Sequence, residues 1–180
     1  MNASLISVRY AKALFQIGLA DPQMMEKLRA DSTLLISVMD DTKLLDQLMS
    51  NATISNSKKL KVVDEVFKPL VDKITLRFIE LVINNERSHL LKSMLVNFLD
   101  LQREHAGIKK VTLITAFSLS EKEKENIQLE LEQKFKAPID LTLQKNEEII
   151  GGMIVIVDGK QVDSSITGQL RMLKKTLLVN

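Results

Sequence analysis

The chain has no cysteine and no tryptophan, a single tyrosine, three prolines and six glycines among its 180 residues. Without cysteine there is neither a disulfide framework nor a thiolate metal site, a pattern that fits a reducing compartment. Aromatic residues make up only 4% and the formal charge is +2, spread evenly along the sequence. A nucleic-acid binder needs a concentrated basic face to displace phosphate counterions and rings on which bases stack. Lys58, Lys59 and Lys61 cluster, but Asp64 and Glu65 follow at once, so this run reads as a solvated helix face rather than an anion-binding patch. No apolar run approaches the roughly eighteen residues of a spanning helix. The opening Met1-Asn2-Ala3-Ser4 lacks the basic start of a secretion signal and the glycine that myristoylation requires. Any membrane association is expected to run through a partner.

Catalytic equipment is equally sparse. His89 and His105 stand alone, with no second histidine at metal-ligand spacing. The acidic pairs Asp40-Asp41, Asp64-Glu65 and Glu147-Glu148 fall at helix ends, on solvated faces or in turns, with nothing to set one carboxyl as acid and the other as base. Gly151-Gly152 precedes a strand, whereas a phosphate loop follows a strand and opens a helix. No nucleophile elbow occurs. The sequence therefore predicts a protein that is not an enzyme, with no catalytic residues, no metal and no cofactor.

What is present is a change of period. From Ser4 to about Glu104 apolar residues recur at helical spacing, interrupted at Ala20-Asp21-Pro22, Asp40-Asp41-Thr42, Ser50 to Ser57, Lys68-Pro69 and Arg87-Ser88. Six helices result. Asp21-Pro22 is a start signal for the second, Ser55 or Ser57 suits the cap of the fourth, and Pro69 marks the expected start of the fifth. After His105, Ala106 and Gly107 the period becomes two: Val111, Leu113 and Phe117 alternate with Thr112, Ile114 and Ala116, and Ile139, Leu141 and Leu143 with Asp140, Thr142 and Gln144. Between these strands Ser120 and Glu123 have the spacing of a capping box, ahead of an Ile127, Leu131, Phe135 stripe. The prediction is a mainly α chain: a six-helix bundle over residues 1–105, then a small α+β module over residues 106–180.

The end of the chain is the most distinctive part. Met153 to Val157 are consecutive apolar residues, four of them Val or Ile, and read as a strand covered on both faces. Asp158-Gly159 supplies a hairpin turn to a short strand ending at Val162. Asp163, Ser164 and Ser165 then offer oxygens to the free amides of a last helix, whose stripe is Ile166, Leu170, Leu173 and Leu177, with Arg171 and Lys175 turned away.

Ile150, Gly151, Gly152, Val162, Asp163, Ser165, Gly168 and Leu170 together resemble the signature of the delta subunit of F-type ATP synthase, whose mitochondrial relative is the oligomycin-sensitivity-conferring protein. The likeness continues in Arg9-Tyr10-Ala11-Lys12-Ala13-Leu14-Phe15, similar to the family's opening helix, and in Phe78 to Arg87 with Phe98 and Leu101. Two positions depart from the pattern: Asp158-Gly159 reverses the usual order in the turn, and Ser164 stands where glycine or alanine is usual. The resemblance implies a non-catalytic stator subunit of the peripheral stalk, linking the catalytic head to the b subunits of the membrane sector and coupling proton flow to ATP synthesis. It also implies a peripheral location on the cytoplasmic side of the bacterial inner membrane. The alternative is a helical-bundle RNA-binding antitermination factor, which balanced charge and few aromatics oppose.

Projected at about 100° per residue, the first helix has two apolar faces. Leu5, Val8, Ala11, Phe15 and Leu19 form one; Ile6, Tyr10, Ala13 and Ile17 form the other. The fifth repeats this, with Leu70, Ile74, Phe78 and Leu81 on one side and Leu76, Ile79 and Ile83 on another. A bundle helix needs one stripe, so the second is either buried between neighbours or offered to a partner. The resemblance implies the latter: helices 1 and 5 receive the N-terminal helix of the α subunit, on Tyr10, Ala13 and Ile17 with Leu76, Ile79 and Ile83. By the same resemblance the C-terminal module holds the C-terminal ends of the b subunits, with Met172 and Leu178 off its core stripe.

Overall fold

The structure is a computed structural model and describes residues 5–42, 44–117, 119–146, 149, 151–157 and 159–169. It divides into two compact units, Met1–Gln102 and Arg103–Asn180. The architecture is the expected one, six helices followed by a mixed sheet with a helix.

The first unit begins with α1 (Leu5–Leu19) and α2 (Pro22–Thr42). The Asp21 carboxylate accepts from the amide of Gln23 at 2.9 Å, so the Asp-Pro pair starts α2 as its chemistry suggests. α3 (Leu44–Ser50) and α4 (Asn56–Phe67) follow. Ser55 holds the cap position of α4 without a side-chain bond to the helix, and Ser57 lies inside it. The fifth helix, α5 (Lys73–Asn84), starts later than Pro69: Asp72 is its cap, bonding the amide of Ile74. The Phe67 carbonyl accepts from Leu70 and Val71 in a turn that carries Leu70, exposed, outside the helix. A 3-10 turn (Ser88–Leu90) leads into α6 (Leu91–His105). The core gathers Ala11, Leu14, Leu28, Leu35, Met39, Val63, Phe67, Phe78, Ile79, Val82, Leu95 and Phe98. Each large side chain removed from water contributes roughly 1.5–3 kcal/mol.

Two polar ties fix this bundle. The buried Asp31 carboxylate of α2 accepts from the Asp72 amide at 2.8 Å and from the Thr75 hydroxyl at 2.5 Å, anchoring the start of α5. Lys59 is only 4% exposed, against the expectation of a solvated basic face. Its spacing explains this, since Lys59, Val63 and Phe67 are the buried stripe of α4. The ammonium donates to the Met49 carbonyl at the end of α3 (3.0 Å) and to Ser88 Oγ (2.9 Å). Lys58 and Lys61 are exposed, as the basic run suggested.

In the second unit β1 (Lys109–Thr115), α7 (Glu121–Phe135) and β2 (Ile139–Lys145) form a parallel pair with a helical crossover, and β3 (Met153–Val157) and β4 (Lys160–Asp163) complete a sheet of order β2-β1-β3-β4. Val111 lies opposite Leu141 on one side and Val157 on the other; Leu113 lies opposite Leu143 and Val155. The capping box is formed: Ser120 Oγ accepts from the Glu123 amide, and the Glu123 carboxylate accepts from the Ser120 amide at 2.8 Å. Ile127, Leu131 and Phe135 of α7 are half-buried. β1 ends at Thr115, and Phe117 beyond it is exposed rather than part of the alternation. β3 is half-buried, not covered on both faces, because the central place belongs to β1 and β3 borders the exposed edge strand β4. Gly159, at φ 81°, makes the turn between them. Residues 166–169 are helical; Ile150, Asp158 and the later stripe of Leu170, Leu173 and Leu177, with Arg171, Met172, Lys175 and Leu178, lie outside the described residues.

Candidate functional site

On α1 the buried seam is Ser7, Ala11, Leu14 and Gly18. Arg9, Tyr10, Ala13 and Ile17 turn to one side of it, and from α5 Ile74, Arg77, Phe78 and Leu81 stand opposite. With Leu14 they line an open groove of about 530 Å³ that is apolar but for its two arginines. Leu14 and Phe78 belong to the core, while Ile17 is 45% and Leu81 51% exposed. Ala13 is exposed between them and keeps the groove open.

Tyr10 is held in place from two directions. Its ring meets that of Phe78 edge-on, with centroids 6.3 Å apart and planes at 65°. Its phenol oxygen accepts from Arg87 Nη1 at 2.9 Å, and the Arg87 guanidinium carbon lies 5.4 Å from the ring centroid. The phenol is thus committed to Arg87, and the ring is a rigid part of the wall.

The structure brings together the three residues expected from α1 but not the three expected from α5. Ile79 (1% exposed) and Ile83 (0%) are in the core and Leu76 packs against it; none lines the groove. The groove side of α5 is the other predicted stripe, Ile74, Phe78 and Leu81. The buried residues Thr75, Phe78, Ile79, Val82 and Ile83 centre the core between the two apparent faces, at a place marked by a polar side chain. Thr75 is buried because Asp31 satisfies its hydroxyl, and that long-range bond leaves no mark in the local pattern.

The C-terminal glycines have a structural task. A Cβ on Gly152, whose φ is 77°, would sit 2.6 Å from the Ser164 carbonyl oxygen. The chains meet there because the Ser164 amide donates to the Met153 carbonyl and the Ile166 amide to that of Gly151. The Asp163 carboxylate accepts from the Ser165 amide (2.9 Å) and hydroxyl (2.6 Å), and Ser165 Oγ accepts from the Gly168 amide (2.9 Å) as the cap of the next helical turn. A Cβ on Gly168 would fall 2.5 Å from an Asp163 carboxylate oxygen. Gly151, Gly152, Asp163, Ser165 and Gly168 form a clasp between two backbones; Val162 is exposed on β4.

Comparison with known proteins covers almost all of this framework. The family model of the ATP synthase delta (OSCP) subunit matches residues 6–177. The chain belongs to the ATP synthase delta (OSCP) subunit family. The ATP synthase subunit delta of Protochlamydia amoebophila is 28% identical, over 99% of this chain and 98% of its own length. The chloroplastic subunit delta of Guillardia theta is 31% identical, over 93% and 91%. In fold, a chain of the cryo-EM structure of the Toxoplasma gondii mitochondrial ATP synthase hexamer superposes with a TM-score of 0.77 at 17% identity, covering 97% of this chain and 98% of that one.

A delta subunit is a non-catalytic, structural component of the stator of F-type ATP synthase, so this chain serves ATP synthesis and proton transport as part of the stalk. That sets aside the antitermination alternative. Asp40 pairs with Lys92, Asp64 with Lys68 and Glu65 with Lys61, all on the surface; Glu147 and Glu148 lie outside the described residues. Among the described residues no helix is long and apolar enough to cross a membrane.

Proposed function

We propose that the groove between α1 and α5 receives an amphipathic helix from the N-terminus of the α subunit, and that residues 106–180 hold the C-terminal ends of the b subunits. The subunit is then a strut on the cytoplasmic side of the bacterial inner membrane, meeting the membrane only through the complex. Attachment through both units keeps the catalytic head from turning with the rotor, and each tether raises the effective concentration of the other.

The observation that carries the first half is the groove itself: Tyr10, Ala13 and Ile17 facing Ile74, Phe78 and Leu81, open and apolar, on a helix pair whose core side is already filled. A helix laid in such a groove gains apolar burial at i, i+3, i+4 and i+7 positions. Ala13→Glu should abolish binding of an α N-terminal peptide by calorimetry while leaving the circular dichroism unchanged. Undiminished affinity would reject this face. The second half is supported by exposed apolar side chains in the C-terminal unit, Met153, Val162 and Ile166. Deleting residues 106–180 should leave a helical fragment that binds the α peptide and not b; a fragment that still bound b would overturn the division.

A further inference from the structure

We infer that the groove selects its helix by charge: Arg9 and Arg77, one on each wall, require an amphipathic helix whose apolar stripe is bracketed by carboxylates. The inference rests on the reading of the groove as a helix-binding site and adds to it what kind of helix is accepted.

Three observations converge. Both arginines line the groove and are exposed. Among the described residues neither has an ion-pair or hydrogen-bond partner, although Arg29, Arg87 and Arg103 all do. No acidic residue lines the groove, and α1 carries Arg9 and Lys12 without a single acid. A guanidinium is a planar fork suited to bidentate capture of a carboxylate. Held over an apolar floor from which a bound helix expels water, it attracts an acid and rejects a base more strongly than in open solvent.

The dimensions set the partner's size. From Arg9 to Ile17 the α1 wall rises about 12 Å at 1.5 Å per residue. That accommodates roughly two turns of a bound helix, hence three apolar anchors. Acids must flank those anchors on both sides, since the arginines stand on opposite walls.

The test uses the full chain and three synthetic amphipathic peptides with the same leucine anchors, spaced four and three residues, and with Glu, Gln or Lys as flanking residues. At low salt the Glu peptide should bind about tenfold more tightly than the Gln peptide, as expected for two partly exposed ion pairs, and the Lys peptide most weakly. The gap should close as salt shortens the Debye length. Arg9→Glu combined with Arg77→Glu, both surface positions, should reverse the Glu and Lys order. Equal affinities of the three peptides, with Ala13→Glu still abolishing them, would overturn charge selection while leaving the groove reading intact. Binding by none of the peptides, or self-association of the chain through this face, would overturn both.

Discussion

Gly168→Ala should destabilise the C-terminal unit although it replaces glycine by alanine in a helical turn. Taken alone, that exchange stabilises a helix by about 1 kcal/mol. At this position the new methyl would lie 2.5 to 2.7 Å from the three carboxyl atoms of Asp163. The carboxylate must withdraw, and with it go the bonds from the Ser165 amide and hydroxyl. Hydrogen bonds to a charged group contribute about 1.5–3 kcal/mol each when buried. Asp163 is exposed while Ser165 is buried, so the pair is valued at about 3 kcal/mol together. The net expectation is a loss of about 2 kcal/mol, from about 3 lost and about 1 gained.

A double-mutant cycle isolates the cause. In an Asp163→Ala background there is no carboxylate to displace, so Gly168→Ala should recover its helical gain of about 1 kcal/mol, giving a coupling of about 3 kcal/mol. Fluorescence is blind to this unit, because the chain has no tryptophan and its one tyrosine, Tyr10, is in α1. Hydrogen exchange of the β3 amides reports it directly. A Gly168→Ala protein with better-protected β3 amides, or a coupling under about 0.5 kcal/mol, would refute the clasp.

Two further outcomes are expected. Glu123 is held below the ordinary glutamate range, first by the side-chain bond from Ser120 and next by the bond from its backbone amide. Its contribution is therefore fully present above the unfolded value near 4.5 and is lost as pH falls through the folded one; an NMR titration in which Ser120→Ala left the Glu123 midpoint unmoved would contradict the capping box. At the Lys59 tie, Ser88→Ala should cost more than Lys59→Met, about 2 against about 1 kcal/mol, because it leaves a buried ammonium with a single acceptor. Lys59→Met removes the charge and leaves the Met49 carbonyl its 2.7 Å bond from Ser88; the opposite order in urea unfolding would disprove the argument.

Much of the fold was legible because it depends on local chemistry. The helix breaks follow Asp-Pro, Asp-Asp-Thr and Arg-Ser, and the Ser120–Glu123 pair closes the box that its spacing announced. The alternations around Val111 and Leu141 gave two strands, while their parallel pairing and the central place of β1 depend on register between distant segments. Where a polar residue is buried, the pattern misleads. Lys59 counted as surface until Met49 and Ser88, ten and twenty-nine residues away, supplied its acceptors. The start of α5 moved from Pro69 to Lys73 because Asp31, in another helix, holds the Asp72 amide.

The candidate site was half legible, and both halves have one cause. On α1 the seam is made of Ser7, Ala11, Leu14 and Gly18, of which Ser7 and Gly18 add nothing to an apolar face and Ala11 only a methyl. A Cβ on Gly18 would come within 2.9 Å of the Met25 side chain of α2, so smallness there is a condition of close approach. On α5 the centre of the seam includes Thr75, polar and yet buried. When small or polar residues occupy the seam, bulky apolar residues are displaced to its flanks, and a period count sees two faces with a false gap between them. On α1 the flank chosen was Tyr10, Ala13 and Ile17, which is open; on α5 the flank chosen was Leu76, Ile79 and Ile83, which the neighbouring helices cover. The same displacement that confuses the periodicity also builds the groove, since Ile17 and Leu81 are left facing outward over a floor of Leu14 and Phe78. A side chain at Gly18 would first meet the Sδ and Cε of Met25, which can swing aside, and then the Met25 Cα, 3.4 Å from the added Cβ, so the room left by the glycine limits how large a residue the α1–α2 seam accepts.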